Sequence, residues 1–148
     1  MGTAAEQLGH LIKRAQHRHH RALDLALADV GLSLVQWNAL REIERVPGRS
    51  QRCLAACTFN SDQAFGTLTS RLLKQKLIAR KPGKGRAYSL VLTPKGRAQL
   101  ERGHALFASV LERSFSVLSP RERAQLHALL GKLLEGPELT GSRPKRIA

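Results

Sequence analysis

Between residues 61 and 86 the chain sets out polar and cationic side chains at close intervals: Ser61, Gln63, Thr67, Ser70, Arg71 and Lys74, then Lys81, Lys84 and Arg86. Hydroxyl and amide groups donate to and accept from other polar edges, and guanidinium and ammonium groups pair with phosphate or carboxylate. Such a set recognises a partner; it does not break bonds. The surrounding charge agrees. The 148 residues carry 25 Lys+Arg against 11 Asp+Glu, a net charge of +14. Residues 1–44 are net zero, residues 45–97 hold twelve Lys/Arg against the single acid Asp62, and residues 98–148 are net +3. A neutral first third followed by a strongly basic middle is the footprint of a polyanion partner.

Other reactive side chains make weaker cases. Cys53 and Cys57 stand four residues apart, a spacing open to a redox or metal role, although a free cysteine is commonly a small buried hydrophobe. Two cysteines supply no disulfide framework, so a reducing cytoplasm is the expected setting. His10, His17, His19 and His20 cluster near the N-terminus, and His17 and His20 have a spacing that can chelate zinc. Arg14, Arg18 and Arg21 would repel a cation there, so solvated or pocket-lining histidines are expected, and neither a metal nor a cofactor. There is no glycine-rich phosphate loop, nucleophile elbow or HExxH motif, which argues against an enzyme. No apolar run approaches the roughly 20 residues of a membrane span, and no charged-then-apolar leader opens the chain.

The elements that must position the basic set can be read from periodicity and caps. A first helix spans about Ala4 to Val30, with Leu8, Leu11, Ile12, Ala15, His19, Ala22, Leu23, Ala26 and Val30 as its stripe and Gly31 as a left-handed stop. Ser33 and Gln36 form a capping box, with Leu32 and Trp37 as hydrophobic staple, for a helix ending near Val46. Trp37 therefore belongs to the core. Ser50 caps a short helix to about Cys57. After a break at Thr58-Phe59-Asn60, Asn60 or Ser61 caps a helix to about Gln75, with Asp62 in its first turn. Phe65, Leu68, Leu72 and Lys76-Leu77 mark its buried stripe. Gln63, Thr67, Ser70, Arg71 and Lys74 fall on or beside the opposite face. The period then shortens, and Pro82-Gly83 sits between two strand-like runs. This predicts a β-hairpin carrying Lys81, Lys84 and Arg86 at its tip, with Tyr88, Leu90 and Leu92 on one face. Thr93-Pro94 starts a helix to about Leu118. Ser119, Pro120 and Glu122 start a last one bearing Leu126, Leu129, Leu130, Leu133 and Leu134. Residues 137–148 read as a frayed basic tail.

Helix-turn-helix followed by a basic hairpin is a winged helix-turn-helix order, mainly α with a small β-hairpin wing. A helix 10–12 Å across fits the major groove of B-DNA, roughly 12 Å wide. Lys and Arg on that helix and on a lateral hairpin would meet phosphates and the adjacent minor groove. The outer helices carry apolar stripes longer than a central unit of about 55 residues could cover, which points to pairing between copies.

Several segments, none specific alone, together resemble the MarR (multiple antibiotic resistance regulator) family. They are Gly31 to Leu40, Pro47 to Ala55, Leu68-Thr69-Ser70-Arg71-Leu72, Lys76 to Arg80, and Leu90-Val91-Leu92-Thr93-Pro94-Lys95-Gly96. The resemblance implies a homodimer intertwined through residues 1–30 and 94–136, with residues 31–93 binding a palindromic duplex operator as a repressor released by a small ligand. It implies Ser61 to Lys74 as recognition helix, with Gln63, Thr67 and Ser70 facing bases and Arg71 and Lys74 facing bases or backbone. Arg86 matches the family's wing-tip arginine. Where family members commonly have Asp-Arg-Leu, this chain has Ser70-Arg71-Leu72. The carboxylate that can hold the wing arginine is therefore missing, and the wing is a residue or two short. Gly66 inside the recognition helix costs about 1 kcal/mol relative to alanine. The alternative from another class is an oligomeric sensor or scaffold whose basic surface binds acidic protein.

Overall fold

The computed structural model describes residues 2–83, 85 and 88–139. Lys84, Arg86 and residues 140–148 lie outside the described residues. The elements run α1 (Ala4–Ala28), α2 (Leu34–Arg45), α3 (Gln51–Cys57), α4 (Asp62–Lys74), β1 (Ile78–Pro82), β2 (Tyr88–Leu92), α5 (Pro94–Phe115) and α6 (Pro120–Leu134). This is a mainly helical winged helix-turn-helix fold with a two-stranded antiparallel wing, in which Ile78 pairs with Leu92 and Pro82 with Tyr88. No described helix is long and apolar enough to cross a membrane.

Local chemistry accounts for the boundaries. Ser33 Oγ accepts from the Gln36 amide and Gln36 Oε1 accepts from the Ser33 amide, at 3.1 and 2.9 Å. Ser61, not Asn60, caps α4 through the Ala64 amide at 3.1 Å. Asn60 instead braces the preceding turn. Thr93 is a two-way joint: its hydroxyl donates to the Lys76 carbonyl at 2.7 Å and accepts from the Gly96 amide at 3.0 Å. The first helix also has a capping box not expected from its stripe, between Thr3 and Glu6.

The described residues divide after Glu112 into two compact units. In the first, Trp37 is fully buried, its ring stacked on Phe107 at 4.3 Å and its Nε1–H donating to the Leu100 carbonyl at 3.2 Å. Leu27, Leu40, Leu54, Phe65, Leu72, Leu77, Ile78 and Leu90 complete the core around it. Two glycines are required by close approach. A Cβ on Gly96 would lie 1.9 Å from the Leu77 carbonyl oxygen, and one on Gly103 would lie 2.6 Å from Trp37 Cδ1. In the second unit α6 buries no residue.

Four expectations need correction. The first helix buries Leu23 and Leu27, while Leu8, Leu11 and Ile12 are exposed; Leu27 was absent from the expected stripe. Lys76 is exposed with φ +59°, and Leu77 alone continues the buried stripe. The helix from Pro94 stops at Phe115 because the Leu118 amide turns back to the Phe115 carbonyl at 3.0 Å before the Ser119 cap. Cys53 and Cys57 are exposed, not buried, since α3 turns Leu54 and Ala55 inward.

Candidate nucleic-acid interface

Helix α4 has two unlike faces. Phe65, Leu68, Thr69 and Leu72 are buried and seat the helix against the core. Ser61, Gln63, Thr67, Ser70, Arg71 and Lys74 are exposed. The first face fixes the orientation of the second. Thr67 and Ser70 donate their hydroxyls to the carbonyls of Gln63 and Gly66, at 3.2 and 3.1 Å, which orients them without using their lone pairs. A Cβ at Gly66 would meet only the end of Gln51, 3.4 Å away, so close packing does not explain that glycine.

The ion pairs of the first unit sort its cations into two groups. Buried Glu42 is surrounded by Arg41, Arg45 and Arg49 at 3.6, 3.1 and 3.6 Å. Arg97 holds Glu44 at 2.8 Å, and that hydrogen bond, with the carboxylate's charge, raises the guanidinium pKa above its ordinary value. Arg52 reaches Asp62 at 3.8 Å. Among the described residues none of these pairs involves Arg71, Lys74 or Lys81. Part of the basic block therefore holds the fold, and Arg71, Lys74 and Lys81 project from it. Lys81 is exposed on β1 opposite Ser89.

Tertiary packing adds residues that spacing could not place. Ser33, Val35 and Gln36 of the α2 start and Asn60, Ser61, Gln63, Thr67 and Arg71 line one open cleft of about 740 Å³. A second cavity, about 500 Å³, lies between α2 and α5 and is lined by Arg41, Glu44, Arg45, Leu100, Glu101 and His104. Arg41 also lies over the Trp37 ring, 5.2 Å from its centre.

A model of the MarR family matches residues 30–87, the stretch from the α1–α2 turn into the wing. The HTH-type transcriptional repressor Rv2887 of Mycobacterium tuberculosis is 29% identical over 136 residues, covering 90% of this chain and 98% of that protein. The HTH-type transcriptional regulator BilQ of Clostridium symbiosum is 33% identical over 105 residues, covering 70% and 73%. The structure of the transcriptional repressor CouR bound to a 23-mer DNA duplex superposes with a TM-score of 0.80 at 30% identity, covering 91% of this chain and 97% of that one. The chain belongs to the MarR family.

Structures of the first and third of these relatives carry ligands. Rv2887, described as a MarR family protein, has been solved with salicylic acid (TM-score 0.72, 28% identity, 85% and 95% covered). CouR has also been solved with p-coumaroyl-CoA. Membership makes this MarR-family chain a transcriptional regulator and not an enzyme. Among the described residues no cluster of three or more His, Cys, Asp or Glu could hold a metal. Cys57 Sγ accepts from Arg49 Nη1 at 3.0 Å.

Proposed function

We propose that this chain is a homodimeric repressor of the MarR type that binds a palindromic duplex in the cytoplasm and is released by a small organic anion. The observation that carries the reading is the outer face of α4. Six polar or cationic residues stand exposed on a helix whose inner face is fully seated, and its cations take no part in the described ion pairs. Ser61, Gln63, Thr67 and Ser70 would meet base edges. Arg71 and Lys74 would meet bases or backbone, and Lys81, with Lys84 and Arg86 of the wing, would meet phosphates and the minor groove. The DNA complex of CouR, similar over nearly its whole length, supports this.

Residues 31–93 form the DNA-reading region in this proposal, and 1–30 with 94–136 form the pairing region. Leu8, Leu11 and Leu25 of α1 and Leu129, Leu133 and Leu134 of α6 are all more than half exposed. A second copy would cover them and set two recognition helices one duplex turn apart, about 34 Å. The effector site would be the cavity between α2 and α5, where Arg41 can pair with a carboxylate beside Leu100 and His104. Rv2887 with salicylic acid and CouR with p-coumaroyl-CoA support an aromatic anion as its ligand class.

The test is a gel-shift titration against a random-sequence duplex and against polyglutamate at two salt concentrations. Duplex binding should fall steeply with salt, because each neutralised phosphate releases counterion. Arg71→Ala should lower duplex affinity by about tenfold, the loss of roughly 1–3 kcal/mol for one good contact. Unchanged affinity in Arg71→Ala, or preference for polyglutamate, would overturn the reading.

A further inference from the structure

Three helices close with the same pair of backbone hydrogen bonds around one left-handed residue. At the end of α1 the residue is Gly31, φ +73°, with bonds Gly31 to Ala28 and Leu32 to Leu27. After α4 it is Lys76, φ +59°, with bonds Lys76 to Leu73 and Leu77 to Leu72. After α3 it is Phe59, φ +57°, with bonds Phe59 to Ala56 and Asn60 to Ala55. Glycine takes this conformation freely and other L-residues are strained in it. Lys76 at least leaves a charged, water-seeking side chain in solvent. Phe59 combines the strain with a ring that is 99% exposed.

The turn gives the ring no way back to the core. Thr58 Oγ1 donates to the Leu54 carbonyl at 2.8 Å, and Asn60 Nδ2 donates to Thr58 O and Oγ1 at 3.1 and 2.9 Å. Phe59 stands two residues before Ser61, the cap of α4, and next to Asn60, which lines the cleft shared with Gln63, Thr67 and Arg71. It belongs to the basic stretch 45–97, in which twelve Lys/Arg stand against the single acid Asp62, faced by Arg52 at 3.8 Å. An exposed apolar ring carried by a basic segment complements a polyanion that also offers apolar faces.

Resting on the duplex-binding reading above, we propose that Phe59 is held outward to pack on an apolar surface of the bound duplex, a deoxyribose face or a thymine methyl group. The strain and the exposure of the free protein are then offset in the complex. Phe59 adds a contact that the polar face of α4 cannot make.

The experiment uses the full-length chain and a 30-base-pair duplex enriched from a random pool by the wild-type protein. Phe59→Gly, Phe59→Asn, Lys76→Gly and Arg71→Ala are compared for thermal midpoint and duplex affinity. Phe59→Gly should raise the midpoint by about 3 °C, as should Lys76→Gly, because both relieve a left-handed residue. Phe59→Gly should nevertheless weaken duplex binding about tenfold, and Phe59→Asn, which also tolerates this backbone, should weaken it equally. Replacing thymidine by deoxyuridine in the duplex separates the two surfaces: weaker wild-type binding identifies the methyl group, and unchanged binding identifies the sugar. If both Phe59 variants bind like wild type while Arg71→Ala is weakened, the Phe59 proposal fails and the duplex-binding reading stands. If Phe59→Gly lowers the midpoint, the ring serves the fold and the proposal also fails. If the wild-type protein enriches no duplex, both fail.

Discussion

Helices α4 and α6 share a plan and differ in outcome. Each starts from a serine cap, runs three to four turns and carries an apolar stripe. Helix α4 buries Phe65, Leu68, Thr69 and Leu72 inside its own chain, whereas α6 buries nothing and leaves Leu129, Leu130, Leu133 and Leu134 facing outward. Full burial of one such side chain stabilises by about 1.5–3 kcal/mol. The first helix has spent its apolar side on fixing one orientation for its polar side. In the proposed dimer the second would release that free energy on pairing. A face that reads a duplex by shape must be anchored; a face that is to pair with another copy, as proposed for α6, must stay open.

The anchoring side can be broken most severely at Gly96. A Cβ there would lie 1.9 Å from the Leu77 carbonyl oxygen, and backbone cannot step aside as a side chain can. Gly96→Ala should therefore cost at least about 3 kcal/mol, read as a fall in the urea midpoint, because it parts α5 from the strand that follows α4. The corresponding change at Gly103, against the Trp37 ring at 2.6 Å, should fall in the range of about 1–3 kcal/mol, since a ring can tilt.

The open side should respond in the reverse sense. Leu130→Glu with Leu133→Glu removes apolar surface that the chain itself does not bury. Unfolding of the dilute chain should change by less than about 1 kcal/mol. The mass measured by sedimentation should drop from dimer to monomer, and the concentration dependence of the thermal midpoint should disappear. A double variant that stays dimeric would place the pairing surface elsewhere.

How much of this division could be read from the residues depends on how many turns each pattern had to declare itself. The Ser33–Gln36 and Ser119–Glu122 boxes, the Ser50 cap and the Gly31 stop are local devices, complete within four residues, and they stand where spacing placed them. The stripe of α4 was legible because Phe65, Leu68 and Leu72 repeat over two turns. Helix α3 has seven residues, too few to show which side is inward, so Cys53 and Cys57 were assigned to the wrong face. In α1 the run Leu25-Ala26-Leu27 offers two leucines on different sides, and only packing against Trp37 and Gly103 selects Leu27. The exposed face of α4 followed from its stripe, but the cleft did not. Ser33 and Gln36 come to Gln63 and Arg71 by tertiary packing, and no spacing encodes that. Lys84 and Arg86 lie outside the described residues.

The smallest effect separates the starts of α2 and α6. Both use a capping box, but α2 closes its box with the amide of Gln36 and α6 with the carboxylate of Glu122. The Ser119 amide donates to Glu122 Oε2 at 2.7 Å, and this backbone hydrogen bond, followed by the one with the Ser119 side chain, holds the Glu122 carboxyl below the usual glutamate range. A group whose folded pKa is depressed stabilises at pH above its unfolded value, and that contribution is lost as pH falls through the folded one. Acid should therefore loosen the first turn of α6 while leaving the first turn of α2 closed. Amide exchange or the chemical shift of the Ser119 amide, followed from pH 6 downward, should show a transition on the acid side of a free glutamate's, with none at Ser33. Glu122→Gln should keep the box and abolish the transition, because the amide accepts the same hydrogen bond without titrating. A transition that survives in Glu122→Gln would mean that some other group governs the start of α6.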